Sequence, residues 1–148
     1  MIALGCDHGG YKLKEEIKKY LEENEMSYKD FGTMNEERTD YPIFAEAVAK
    51  SIQSKECDKG ILICKTGVGM VLVANKFKGI RCAVCSDEMV AKQAKEHSNI
   101  NILALPAEYV SITRAVPIIR MWLAAEFQEG RYAHRLQMIK DIEKENMK

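Results

Sequence analysis

Short apolar runs and amphipathic stretches take turns along this chain. Residues 2–6 form an apolar run, IALGC, that reads as a strand ending at Asp7-His8-Gly9-Gly10. In residues 11–25, Leu13, Ile17, Tyr20 and Leu21 recur at helical spacing among charged residues, the signature of an amphipathic helix. Residues 26–32, MSYKDFG, read as a second strand. Residues 39–54 read as a helix opened by Asp40-Tyr41-Pro42, where a proline fits the first turn. Residues 60–64 are a third strand, and a helix over 70–76 leaves the glycine-containing loop after it. A fourth strand is expected at 80–85, then a helix at 86–97 capped by Ser86 or Asp87. A fifth strand at 101–105 precedes a helix expected over 107–127, and a last amphipathic helix is expected over 129–148.

Near-continuous apolar strands separated by helices predict a parallel sheet covered on both faces, with right-handed crossovers. The expected fold is therefore α/β, a three-layer α/β/α sandwich with a five-stranded parallel sheet. No repeat, low-complexity tract or linker divides residues 1–148, so one domain is expected. Ligands in such folds bind beyond the carboxyl ends of the strands. This gathers Asp7 and His8 after strand one, Cys64 to Gly69 after strand three, and Ser86 and Asp87 after strand four. His97 precedes strand five, and periodicity alone does not place it.

Charge narrows the partners. Lys plus Arg number 22 and Asp plus Glu 22, a net charge of zero, so neither nucleic acid nor an anionic membrane surface is suggested. No apolar run is long enough to span a bilayer, and no signal-peptide pattern opens the chain; a cytoplasmic protein is expected. Five cysteines, an odd number, fit a reducing compartment. Cys82 and Cys85 form a CxxC, but three residues apart on a strand they face opposite ways, which suits buried thiols better than a shared metal.

The candidate chemistry centres on GILICKTGVGM, residues 60–70. The Walker spacing GxxxxGK[ST] is absent, and so is GxGxxG. What remains is a turn rich in backbone amides, suited to anionic oxygen, with Cys64 at its start. A thiol there serves either as an ordinary buried cysteine or as an activated thiolate, nucleophile or base. Thr66 either donates a hydrogen bond or caps the following helix. Asp7-His8 before Gly9-Gly10 forms a second polar corner. Arg131, His134 and Arg135 share one cationic helix face, open to solvent or to an anion.

The stretches GCDHGGYKLKEEIKKYL, Phe31-Gly32-Thr33, Asp40-Tyr41-Pro42, CKTGVGMVLVANK, IRCAVC and AKEHSNINILAL, together with Gly130-Arg131 and Arg135, resemble the type B ribose-5-phosphate isomerase and galactose-6-phosphate isomerase family over nearly the whole chain. The resemblance implies a Rossmann-like fold and a homodimer or dimer of dimers, with active sites between subunits and the C-terminal helix packed on a partner. It implies a cofactor-independent aldose–ketose isomerase of a sugar phosphate, with no metal. Cys64 would move a proton between C2 and C1 through a cis-enediolate, and Thr66, Gly67 and Gly69 would belong to the oxyanion loop. Asp7 and His97 would open the sugar ring and handle its hydroxyls. His8, Arg131 and Arg135 would hold the phosphate, Tyr41 would lie beside the sugar, and Asn75 would match the asparagine of the family's Ala-Asn-Lys.

Several positions depart from the family pattern. Lys65 stands for a glycine; were positive φ required there, it would cost roughly 1 kcal/mol, while its charge could assist Cys64 or contact phosphate. Ser98 replaces a sugar-contacting asparagine, Glu108 replaces an arginine, and Glu129 and Tyr132 break a Gly-Gly-Arg-His pattern. The expected substrate is ribose 5-phosphate. Galactose or allose 6-phosphate, a catalytically silent partner subunit, and a nucleotide-binding module are the alternatives.

Overall fold

The computed structural model describes residues 1–147. Five strands, β1 (Ile2–Cys6), β2 (Tyr28–Asp30), β3 (Lys59–Cys64), β4 (Cys82–Val84) and β5 (Ile102–Pro106), form one sheet in the order β2-β1-β3-β5-β4. Every neighbouring pair is parallel. Six helices accompany it: α1 (Tyr11–Glu23), α2 (Tyr41–Gln53), α3 (Val68–Ala74), α4 (Glu88–Ser98), α5 (Ile112–Ala124) and α6 (Arg131–Asn146). The three-layer arrangement expected from the alternation of elements, and the Rossmann-like fold implied by the resemblance, are observed.

The strand period of two divides the core. Leu4 and Cys6, Ile61 and Ile63, and Leu103 and Leu105 face α1, α5 and the buried side of α4, where Ile17, Leu21, Ile119 and Trp122 complete one apolar layer. Ala3, Leu62, Cys64 and Ala104 face the other way, onto Ala45, Val48 and Ala49 of α2 and Met70 of α3. Cys82 lies in this second layer and Cys85 in the first, so the CxxC is split between the two faces. All five cysteines are free and buried.

Boundaries differ from expectation where capping outweighs periodicity. The helix expected over 107–127 is shorter. Tyr109 and Val110 donate backbone bonds to the Pro106 carbonyl in a turn, and α5 starts only after Ser111. At its other end Ala125 is extended, which stops the helix despite the apolar Phe127 beyond it. The helix expected at 70–76 begins earlier, at Val68, because Gly67 turns the chain with φ +78°. Asp87, rather than Ser86, caps α4, accepting from the amides of Met89 and Val90. The last residue of the expected C-terminal helix, Lys148, lies outside the described residues.

Candidate active site

Strand register brings three chain segments to one end of the sheet. Cys6 pairs with Ile63, and Cys64 with Pro106, so the exits of β1, β3 and β5 are level. The Asp7 amide donates to the Ile63 carbonyl, and those of Ala107 and Glu108 donate to the carbonyls of Cys64 and Lys65. The loop after β3 is thereby laced to the turns on either side.

Cys64 is the last residue of β3, and 5% of its surface is exposed. Its Sγ accepts the Gly67 amide at 3.1 Å, while Thr66 Oγ1 accepts that of Val68 at 3.3 Å. Gly67 is required twice. Its φ of +78° is left-handed, and a Cβ there would come within 2.6 Å of Val84 Cγ2. Gly69 is required by contact, because a Cβ would meet the Tyr41 ring at 2.5 Å. Tyr41 thus packs against the glycine loop at Gly69.

Asp7, buried, accepts the Gly9 amide through Oδ1 at 3.0 Å and caps the single 3-10 turn before α1. His8 is exposed, and its Nδ1 accepts the Thr39 amide at 3.2 Å, which ties it to the loop ahead of Tyr41. Lys65 is exposed and has ordinary negative φ; the positive-φ non-glycine residues among those described are Glu25, Lys55 and Asn99. The anticipated backbone cost at Lys65 is therefore absent. Its Nζ instead lies 3.7 Å from Glu108 Oε1, so two departures from the family pattern pair with each other beside the loop.

The remaining candidates lie elsewhere. Asn75 spends its amide on the backbone of Cys82, donating through Nδ2 to the carbonyl (2.9 Å) and accepting through Oδ1 from the amide (2.8 Å), so it ties α3 to β4. His97 and Ser98 close α4, which starts beyond the carboxyl end of β4 and returns along the sheet for roughly 16 Å. Ser98 arrives beside Ile80, Arg81 and Ile100, at the amino ends of β4 and β5, and so at the end of the sheet opposite Cys64. There the His97 ring stacks on Tyr132, centroids 4.3 Å apart and planes 7° from parallel. Arg131 Nη2 donates to the Tyr132 hydroxyl at 3.0 Å, and Arg135 helps line a hollow of about 250 Å³ with His97, Ser98 and Tyr132.

Apart from Asn75, which is held on the Cys82 backbone, the candidates form two clusters. Asp7, His8, Tyr41, Cys64, Lys65, Thr66, Gly67 and Gly69 surround the carboxyl end of the sheet, and His97, Ser98, Arg131 and Arg135 the opposite end. Sequence reasoning missed Tyr132 as a member of the second cluster. Its signal was available, since it is an aromatic residue flanked by the cationic positions 131 and 135.

Burial pushes the Cys6 thiol up to about 12 and Cys85 to about 11, and raises Cys82 as well; these stay protonated at neutral pH. Cys64 differs from them in opening onto a loop of amides.

A family profile described as Ribose/Galactose Isomerase matches residues 2–139. The chain is 44% identical over 142 residues to ribose-5-phosphate isomerase B of Escherichia coli, covering 96% of this chain and 95% of that one. It is 37% identical to galactose-6-phosphate isomerase subunit LacB of Clostridium acetobutylicum, over 97% of this chain and 82% of the relative. Among solved structures, ribose-5-phosphate isomerase B of Clostridium thermocellum superposes with a TM-score of 0.95 at 47% identity, over 97% of both chains. The Mycoplasma genitalium enzyme with bound ribulose-5-phosphate gives 0.93 at 36% identity, over 98% and 97%.

Proposed function

The chain belongs to the ribose/galactose isomerase family, and we propose that it interconverts an aldose phosphate and its ketose, ribose 5-phosphate and ribulose 5-phosphate being the pair. The observation that carries this reading is the Cys64 sulfur at the end of β3, held by the Gly67 amide between the Asp7 turn and Tyr41.

The chemistry follows from what isomerisation requires. Cys64, as thiolate, removes the proton from C2 of the open-chain aldose. The C–H electrons form the C1–C2 double bond, and the carbonyl pair moves onto O1, giving a cis-enediolate. Return of the proton from the thiol to C1, with the O2 proton passing to O1, completes the ketose. Fixed backbone amides of the glycine loop stabilise the charge developing on O1 without reorganising. Asp7 and His97 open the ring, one group taking the anomeric hydroxyl proton and the other protonating the ring oxygen. His8, Arg131 and Arg135 hold the phosphate, whose binding energy positions the reacting carbons, and Lys65 borders the same opening.

A complete site needs both clusters, and one chain holds them at opposite ends of its sheet. We place the complete site across a homodimer, with the Cys64 cluster of one subunit facing the His97 cluster of the other, twice by symmetry. Exposed Val68, Leu72, Val84, Met89 and Val90 border the Cys64 loop and supply an apolar surface for that contact. Met138, Ile139 and Ile142, exposed on α6, extend it. In this reading residues 1–148 act as one domain. Among the described residues no helix is long and apolar enough to cross a membrane, and five free thiols fit a cytoplasmic enzyme.

The test is incubation of the pure protein in D₂O with ribose 5-phosphate and with galactose and allose 6-phosphates, followed by NMR, with Cys64→Ala alongside. Ketose formation and deuterium entry at C1 that disappear in the variant support the reading. Turnover unchanged by Cys64→Ala removes the proposed base, and turnover confined to a hexose phosphate reassigns the substrate.

A further inference from the structure

Tyr132 touches two groups that the proposed chemistry uses for different purposes. One face of its ring lies parallel on His97, 4.3 Å away. Its hydroxyl accepts from Arg131 Nη2 at 3.0 Å, and the Arg131 guanidinium carbon lies 5.0 Å from the ring centroid. Helix geometry does not impose the second contact. Consecutive residues on a helix point about 100° apart, so Arg131 reaches its neighbour only by folding across it. The hydroxyl bond and the cation–π contact hold it there.

From this geometry we propose that Tyr132 is a positioning residue that fixes the His97 imidazole and the Arg131 guanidinium as one unit, coupling the proton-transfer group to the phosphate-binding group. The proposal rests on the isomerase reading above and adds to it a residue outside the implied site. A parallel stack covers only a face of the imidazole and leaves its edge, with both nitrogens, available to a sugar hydroxyl. Stacking also removes rotational freedom that His97, half-exposed at the end of α4, would otherwise keep. Arg131 lies at the first position of α6, where few backbone bonds restrain it, and the phenol supplies the missing restraint. The two halves of Tyr132 thus have separable tasks. Its ring places His97, and its hydroxyl places Arg131.

The experiment compares wild-type, Tyr132→Phe and Tyr132→Ala in three measurements: steady-state kinetics on ribose 5-phosphate, the His97 Cε1 proton resonance of the free enzyme, and thermal unfolding. The resonance is assigned by its loss in His97→Gln. Phe keeps the stack and loses the hydroxyl bond. It retains most of kcat while KM rises roughly fivefold, the effect of one ordinary solvent-exposed hydrogen bond. Its His97 proton stays shielded by the ring beside it. Ala loses both contacts, so kcat falls roughly tenfold through lost orientation, KM rises at least as far as in Phe, and the His97 proton moves downfield. Wild-type kcat and KM in both variants overturn the proposal, as does a His97 resonance unmoved in Ala. A uniform loss in both variants that follows only their melting temperatures overturns it too, and the Phe variant decides the matter if Ala fails to fold. A wild-type protein without turnover overturns the isomerase reading instead, while the resonance still tests the placement of His97.

Discussion

The amide of Gly67 points at the sulfur of Cys64 across 3.1 Å, closing the loop of residues 64–67 over the thiol. A backbone donor so placed can hydrogen-bond the sulfur when it acts as the proton acceptor.

The first prediction concerns that thiol. Cys64→Ala lowers kcat by about 10³ or more, the scale of a lost general base, with melting temperature little changed. Substoichiometric iodoacetamide labels Cys64 ahead of Cys6, Cys82 and Cys85, whose burial holds them protonated. Peptide mass spectrometry reads the order, and labelling led by any of those three contradicts it.

Gly69 offers a steric test of the loop. A methyl group there would lie 2.5 Å from the Tyr41 ring, so Gly69→Ala forces the tyrosine or the loop to move. The expected result is a loss of about 1–2 kcal/mol in stability and a raised KM for sugar phosphate, read by denaturant melts and initial rates. Combining it with Tyr41→Ala restores the stability lost to the clash but not the affinity.

Separation of the two clusters predicts complementation. Cys64→Ala and His97→Gln are each inactive alone, because every homodimer carries the same lesion in both sites. Unfolded together and refolded, they form mixed dimers holding one intact site, and random pairing restores about a quarter of wild-type activity. Recovery near zero in a mixture shown by mass spectrometry to contain heterodimers places the two residues in the same subunit's site.

Acid stability is set elsewhere, by Lys14 and Asp30. Lys14 is fully buried on α1, with Nζ donating to Asp30 Oδ1 at 2.6 Å and to the Thr33 carbonyl. Burial alone would raise the Asp30 carboxyl, but hydrogen bonds from Lys14, the Gly32 amide and Lys18 hold it below its ordinary value. A carboxyl depressed in the folded state contributes stability that is fully present above its unfolded value, about 3.9, and is lost as pH falls through the folded one. Urea melts from pH 7 to pH 2 should therefore show wild-type stability falling below about pH 4–5, as native Asp30 keeps its charge while the unfolded carboxyl takes up a proton. Asp30→Asn is less stable at neutral pH by about 3 kcal/mol, since it leaves the Lys14 ammonium buried without its partner, and its acid limb is flatter. Parallel wild-type and variant curves would show that the pair does not set the acid limb.

Much of this was legible in order and pattern. Strand runs and helical stripes specify that β1, β3 and β5 are buried on both faces, because that depends on residues only a few positions apart; which residues enter which layer came from the structure. The same locality explains why Asp7 and Cys64 could be placed at strand ends and joined through the parallel-sheet rule. Lys14 was not legible. It reads as one charge among several beside the Leu13–Ile17–Leu21 stripe, and only the approach of Asp30 on β2 makes its burial tolerable.

By itself, then, the sequence determined the alternation of elements, a sheet covered on both faces and the cysteine loop at the end of β3, all of them consequences of short-range periodicity and turn chemistry. Tertiary structure alone decided that α4 carries His97 to the opposite end of the sheet and that Tyr132 lies on its imidazole. Those contacts join residues some thirty-five positions apart, and they depend on the strand order that sets β4 at the sheet edge and on where α6 comes to rest. No local pattern encodes either.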